Sequence, residues 1–215
     1  MSENGTELKA KKRYVYRFIK RTMDIVFSFL GLIILSPVFL ITAVCIEIES
    51  PGSPIFRQDR AGKDGKPFRI FKFRSMYKDA EERLMESKAL ENREGTPFTD
   101  KSKDDPRITK VGKFIRKTSI DELPQLIDVF RGKMSLVGPR PIPMYEYEAM
   151  DEYQRQRNLV KPGLTCIWQV SGRSNIIGQE RVELDIRYVK SYSLHIDMLL
   201  IIKTIPAILT GKGAQ

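Results

Sequence analysis

At 215 residues the chain suffices for one domain with a real core and an appended element, and excludes two full domains. With 37 Lys and Arg against 27 Asp and Glu, a net charge of +10, its partners should be anionic: nucleic acid, anionic lipid or a phosphorylated substrate. The single histidine, His195, excludes a His/Cys metal cluster, and two distant cysteines, Cys45 and Cys166, argue for a reducing compartment over a stabilising disulfide.

The N-terminal stretch is basic, with Lys9, Lys11, Lys12, Arg13, Arg17, Lys20 and Arg21 and no acid from residue 9 to 21. From Ile25 to Ile46 there follow 22 residues without a formal charge, about 33 Å as a helix and close to the thickness of a bilayer core. The run ends in Ile46, Glu47, Ile48 and Glu49 rather than in a small-residue cleavage site, so it reads as retained. The far flank is basic too: Arg57, Arg60, Lys63, Lys66, Arg69, Lys72 and Arg74 against Asp59 and Asp64. A simple span carries its positive charge on one side, so matching flanks point to entry and exit on the same face. Ser36 and Pro37 supply the bend, because proline removes a donor and clashes with the carbonyl four residues earlier. The Ser36 hydroxyl is the nearest local partner for the carbonyl so freed. A re-entrant helical hairpin or sharply bent helix is therefore expected; a kinked spanning helix, with residues 1 to 20 outside the cell, is the alternative.

Two extended segments, Pro54 to Arg60 and Pro67 to Met76, around a turn at Gly62 to Gly65 read as a β-hairpin that carries Lys72. Residues 78 to 91 read as helical, and the polar stretch from Asn92 to Pro106 as a mobile connection. Further helices are expected over Thr109 to Lys117, Asp121 to Arg131, Tyr145 to Asn158 and Gly178 to Tyr192. A last apolar helix, 194 to 209, is interrupted by Asp197 and Lys203 and is too short and polar to span, leaving the membrane interface or the core as its place.

The run from Thr118 to Gln125 is the most chemical in the chain. Pro124 is comfortable only in a first helical turn, which puts the helix start near Asp121 and sets Asp121 and Glu122 at its positive end. An acid there is also the ordinary N-cap, and a Ser119–Glu122 capping box is a further local reading. Lys72, Arg116, Arg140 and Arg173 each lie beside tight-turn residues, and Gly138, Pro139, Arg140 and Pro141 form a stiff loop suited to holding an arginine fork for phosphate.

In order, Ser36-Pro37, Phe71-Lys72-Phe73-Arg74-Ser75-Met76, Arg116 with Thr118 to Gln125, Gly138-Pro139-Arg140-Pro141, Lys161-Pro162-Gly163-Leu164-Thr165 and Gln169-Val170-Ser171-Gly172-Arg173 closely resemble the bacterial sugar transferase family, the monotopic phosphoglycosyl transferases. The resemblance runs from about Arg17 to the C-terminus and is to the short, single-domain members. It implies Asp121 as nucleophile, Glu122 as its neighbouring carboxylate, and Mg²⁺ as cofactor with Asp121 as a ligand. It implies Lys72, Arg116, Arg140 and Arg173 as the substrate-site residues, and Ser36 with Pro37 as the re-entrant break. Cys166 stands where many relatives have glycine, so a side chain there is expected to reshape the adjoining loop.

The expected fold is α+β and mainly helical: a monotopic membrane-associated domain with a re-entrant kinked helix, a small β-hairpin and amphipathic interfacial helices. Residues 1–21 form the basic cytoplasmic segment, 22–50 the membrane helix and 51–215 the catalytic domain. The expected activity moves a sugar 1-phosphate from a UDP-sugar to polyprenyl (undecaprenyl) phosphate, releasing UMP, on the cytoplasmic face of a bacterial inner membrane. Its partners are those two substrates and the lipid bilayer, without nucleic acid; a homo-oligomer is left open. The alternative is a non-catalytic membrane-surface binder with Asp121 as a cap only. A nucleic-acid binder is a third reading, with no groove-reading motif to support it.

Overall fold

The structure, a computed structural model, describes residues 13–80, 105–172 and 175–210. Helix α1 (Tyr14–Ile34) and helix α2 (Ser36–Glu49) meet at Leu35 with a bend of 59°. Pro37 has no N–H for the Ile33 carbonyl, and the Ser36 hydroxyl donates to that carbonyl instead at 2.7 Å, as the sequence leads one to expect. Among the described residues no single helix is long and apolar enough to cross a membrane; the bent pair meets both conditions together.

Strand β1 (Ile55–Ala61) pairs antiparallel with β2 (Pro67–Phe73), Ile55 opposite Phe73 and Ala61 opposite Pro67, around a 3₁₀ turn at Lys63–Gly65. The hairpin is where it is expected, but β2 stops at Phe73, short of Met76. Helix α3 (Lys110–Lys117) follows, with Thr109 as N-cap accepting from the Gly112 N–H at 2.7 Å. Its first turn is also held from outside: the Glu49 carboxylate, ending α2, accepts from the N–H of Lys110 at 2.7 Å and of Val111 at 2.8 Å. Gly112 is obligatory, since a Cβ there would lie 2.0 Å from the Ser75 carbonyl oxygen.

The single helix expected over Asp121 to Arg131 is instead a 3₁₀ segment, Ile120–Gln125, leading into a short helix α4 (Leu126–Phe130). Pro124 sits inside the 3₁₀ segment, and Ser119 precedes it in the left-handed region at φ 59°, with no side-chain cap. Neither the Asp121 cap nor the Ser119–Glu122 capping box forms; the tighter 3₁₀ winding absorbs the proline.

Strand β3 (Ser135–Val137) pairs in parallel with β4 (Gly163–Thr165), a pairing the sequence reading does not contain. Tyr145 to Asn158, expected as one helix, breaks into α5 (Met144–Glu148), α6 (Glu152–Arg155) and a 3₁₀ turn (Gln156–Leu159), because Asp151 forms a capping box with Gln154 and restarts the helix. Helices α7 (Ile167–Ser171), α8 (Gln179–Ser191) and α9 (Leu194–Thr210) complete the described chain. The helix expected over 78–91 and the mobile stretch expected over 92–106 lie outside the described residues, apart from 78–80 and 105–106.

The architecture is mainly helical with a small antiparallel hairpin. Among the described residues its core comprises three small buried clusters: Val137, Tyr188, Tyr192 and Leu200; Ile46, Phe73 and Ile115; and Ile70, Val129 and Met134. The buried residues of α1 are polar, Asp24 and Ser28, while Phe29, Leu30, Ile33 and Ile34 face outward. Asp24 Oδ1 accepts from Ser135 Oγ at 3.0 Å and from the Leu136 N–H at 2.9 Å, which seats α1 on β3. Helix α9 divides the same way: Asp197 and Leu200 are buried, and Met198, Leu199, Ile202 and Ile205 are exposed. Cys45 and Cys166 are both free.

Candidate active site

The 3₁₀ segment packs on β2, so Asp121 and Glu122 face the Lys72 strand. Glu122 is held on two sides. Lys72 Nζ donates to its Oε1 at 2.8 Å, Arg140 Nη1 donates to Oε2 at 3.0 Å, and Arg140 Nη2 closes the fork on Oε1. Burial alone would raise its pKa, but the charges and hydrogen bonds of Arg140 and Lys72 hold it well below the usual carboxylate range. Asp121 is the opposite case. Its carboxylate makes no hydrogen bond or ion pair among the described residues. Burial, and then the Glu122 charge, push it up to about 6, against the pull of Lys72, Arg140 and Arg116.

Each cation is positioned by its own support. Lys72 follows Phe71 on β2, whose N–H donates to Asp128 Oδ2 at 3.0 Å, tying the strand to α4. Arg116, at the end of α3, donates through Nε to Ser75 Oγ at 2.8 Å. Arg140 rides on a loop clamped twice. The Gly163 N–H donates to Pro139 O at 2.9 Å, with Gly138 so close that a Cβ on Gly163 would lie 2.0 Å from its nitrogen. Arg157 Nη2 donates to Arg140 O at 2.8 Å and to Asp185 Oδ2 at 2.5 Å, a buried ion pair beneath the loop. The Trp168 ring has the Arg140 guanidinium 5.9 Å from its centroid and that of Arg181 at 4.7 Å.

Of the residues singled out in the sequence, Asp121, Glu122, Lys72, Arg116 and Arg140 gather here; Arg173 lies outside the described residues, and Ser36 and Pro37 form the bend. Cys166 is buried at the N-cap of α7, and burial pushes its thiol up. Sequence reasoning passed over Asp128, Arg157 and Asp185. Their partners are distant in the chain, so no local pattern announces them.

Among the described residues no three His, Cys, Asp or Glu side chains cluster to hold a metal. Both Glu122 oxygens are engaged, leaving Asp121 as the free carboxylate of the site among the described residues. That donor set fits Mg²⁺, which binds through one or two carboxylates and takes its remaining ligands from water and substrate phosphates.

Comparison with known proteins gives a consistent picture. The chain is 44% identical over 207 residues to the galactosyl transferase CpsE of Streptococcus agalactiae, covering 94% of this chain and 45% of that protein. It is 44% identical over 201 residues to the undecaprenyl-phosphate galactose phosphotransferase of Salmonella typhimurium, 92% of this chain and 42% of the relative. It is 39% identical over 197 residues to the exopolysaccharide production protein ExoY of Sinorhizobium fredii, 91% of this chain and 87% of that one. The chain thus spans under half the length of the first two and most of the third. The family model described as bacterial sugar transferase matches residues 15–211, nearly the whole chain and every element that builds the carboxylate site, and the chain belongs to that family.

Proposed function

We propose that the chain transfers a sugar 1-phosphate from a UDP-sugar to polyprenyl phosphate, undecaprenyl phosphate in bacteria, through a covalent phosphosugar on Asp121. An Asp121 oxygen attacks the sugar-bearing phosphorus, and the bond from that phosphorus to the bridging oxygen breaks; UMP leaves with the electron pair. A polyprenyl phosphate oxygen then attacks the same phosphorus and frees the carboxylate, giving polyprenyl-diphosphate-sugar. Neither step needs a base, which suits a site whose two carboxylates are an engaged Glu122 and a free Asp121. Glu122 keeps Lys72 and Arg140 aimed into the site, and Arg116 and Arg140 supply charge for the diphosphate. Asp121, with diphosphate oxygens, would hold Mg²⁺, which would neutralise charge on the transferring phosphoryl group. Arg173 is assigned to the same substrate.

The observation that carries this reading is the unpartnered Asp121 beside a Glu122 fixed by two cations. The names of the relatives support the reaction class. The outward apolar faces of α1, α2 and α9 support an anchor re-entrant over 22–50, with 51–215 as the catalytic domain on the cytoplasmic face of the inner membrane. There the soluble donor and the lipid acceptor meet at one surface.

The test is intact mass and UMP release from detergent-purified protein with Mg²⁺ and a panel of UDP-sugars, without lipid acceptor. An added phosphosugar mass that Asp121→Asn abolishes is expected, and the reacting sugar names the donor. No adduct and no UMP, with or without polyprenyl phosphate, returns the chain to a non-catalytic surface binder.

A further inference from the structure

A second cationic site lies away from the carboxylates. A cavity of about 230 Å³ opens between the first turns of α1, strand β3 and the segment before β4. Arg17, Lys20, Arg21, Lys63 and Lys161 line it, with one carboxylate, Asp24, and no residue of the catalytic cluster.

These cations are not equally free. Lys20 is paired to Asp197 at 2.8 Å, Arg21 donates to the carbonyls of Val129 and Phe130 at 2.7 Å each, and Lys63 pairs with the exposed Asp64. Asp24 is spent on Ser135 and the Leu136 N–H. The side chains of Arg17 and Lys161 have no hydrogen bond or ion pair among the described residues. Burial pulls the Lys161 pKa down, and Arg21, Arg17 and Lys63 act in the same direction against Asp24. Among the described residues, positive charge is thus gathered around a hollow whose one carboxylate, Asp24, is already engaged. We infer that the cavity is a binding site for a phosphate group, held by Arg17 and Lys161 and distinct from the transfer site.

Two sources share that chemistry, an anionic phospholipid headgroup and a free phosphate. Arg17 stands eight residues before Ile25, about 12 Å along the helix from the uncharged run. With that run in lipid, which rests on the anchoring proposed above, the cavity sits at headgroup height.

The full chain in dodecyl maltoside is titrated with inorganic phosphate and followed by phosphorus NMR line width. In nanodiscs of phosphatidylcholine and phosphatidylglycerol in equal parts, native mass spectrometry counts the phosphatidylglycerol retained. Lys161→Gln with Arg17→Gln should weaken binding about tenfold, the loss of a charge-assisted hydrogen bond, while Lys161→Arg and Lys72→Gln keep it. Arg17→Gln alone, at an exposed and uncommitted side chain, repeats the test where folding is not in question. Retained phosphatidylglycerol without phosphate binding identifies the lipid source; phosphate binding without retained lipid identifies the free anion. Binding unchanged in the double variant, lost only in Lys72→Gln, or absent from both assays overturns the inference. Because the readout is binding, a chain that releases no UMP would defeat the proposed reaction and leave this site standing, and the converse holds equally.

Discussion

Asp121 and Glu122 are chain neighbours with opposite electrostatic fates, and stability should record both. Glu122, drawn far below its usual range, contributes stability at neutral pH that is lost as pH falls below its ordinary value of 4.5. Asp121 is raised from 3.8 to about 6, so between those values the folded chain holds a proton that the unfolded chain has released, and stability declines as pH rises through that window. Asp121→Asn should therefore abolish transfer yet raise the melting temperature at pH 7 by roughly 3 °C, about 1 kcal/mol after discounting for solvent access, and the gain should vanish below pH 4. Calorimetry across pH checks this. Nucleophilic activity should fall as pH drops through about 6, the macroscopic titration of the coupled pair, seen in a UMP-release profile. Glu122→Gln leaves Lys72 and Arg140 facing a neutral amide. It should cost about 2 kcal/mol in urea unfolding and at least about a hundredfold in transfer.

At the scale of elements, legibility follows the range of the interaction. The hairpin was readable because two extended runs flank a glycine turn, and α3 because Thr109 to Lys117 carries a helical pattern. The bend was readable because proline's effect is local, down to the carbonyl that Ser36 takes. The 3₁₀ turn at Ile120–Gln125 was not, since Pro124 is equally at home in a first α-turn. Three-residue strands β3 and β4 are too short to show a period, and Arg157, Asp185 and Asp128 act across the fold. The five carboxylate and cation residues were legible only as types in an order; that Glu122 rather than Asp121 takes the cations is a fact of geometry. Pro37→Ala restores an N–H to the Ile33 carbonyl and should straighten the pair. A cysteine at Ser2, shielded from an impermeant reagent in intact cells of the parent chain, should then become labelled; labelling of the parent itself would favour a spanning helix.

Taken whole, the described residues leave on α1, α2 and α9 apolar faces of a kind that soluble proteins bury. Ile34 is 71% exposed, Leu40 67% and Ile41 63%, while the described core clusters are small, so under the anchoring proposed above a bilayer would supply burial that the fold itself does not. Ile41→Lys should leave secondary structure by circular dichroism intact and shift the protein from the floating to the soluble fraction in vesicle flotation, at about 3 kcal/mol for a cation in hydrocarbon. The Glu49 carboxylate gives that anchoring a metric. It clamps the last residue of the bent pair to the first turn of an eight-residue helix that delivers Arg116 beside Asp121, a strut of about 12 Å held by two hydrogen bonds at the end that meets the pair. With the bent pair in lipid, as proposed, such a strut would act as a depth gauge. It would set the height above the acyl chains at which a phosphate can be reached, and so would select acceptors by where their phosphate rides in the leaflet as well as by what it is attached to.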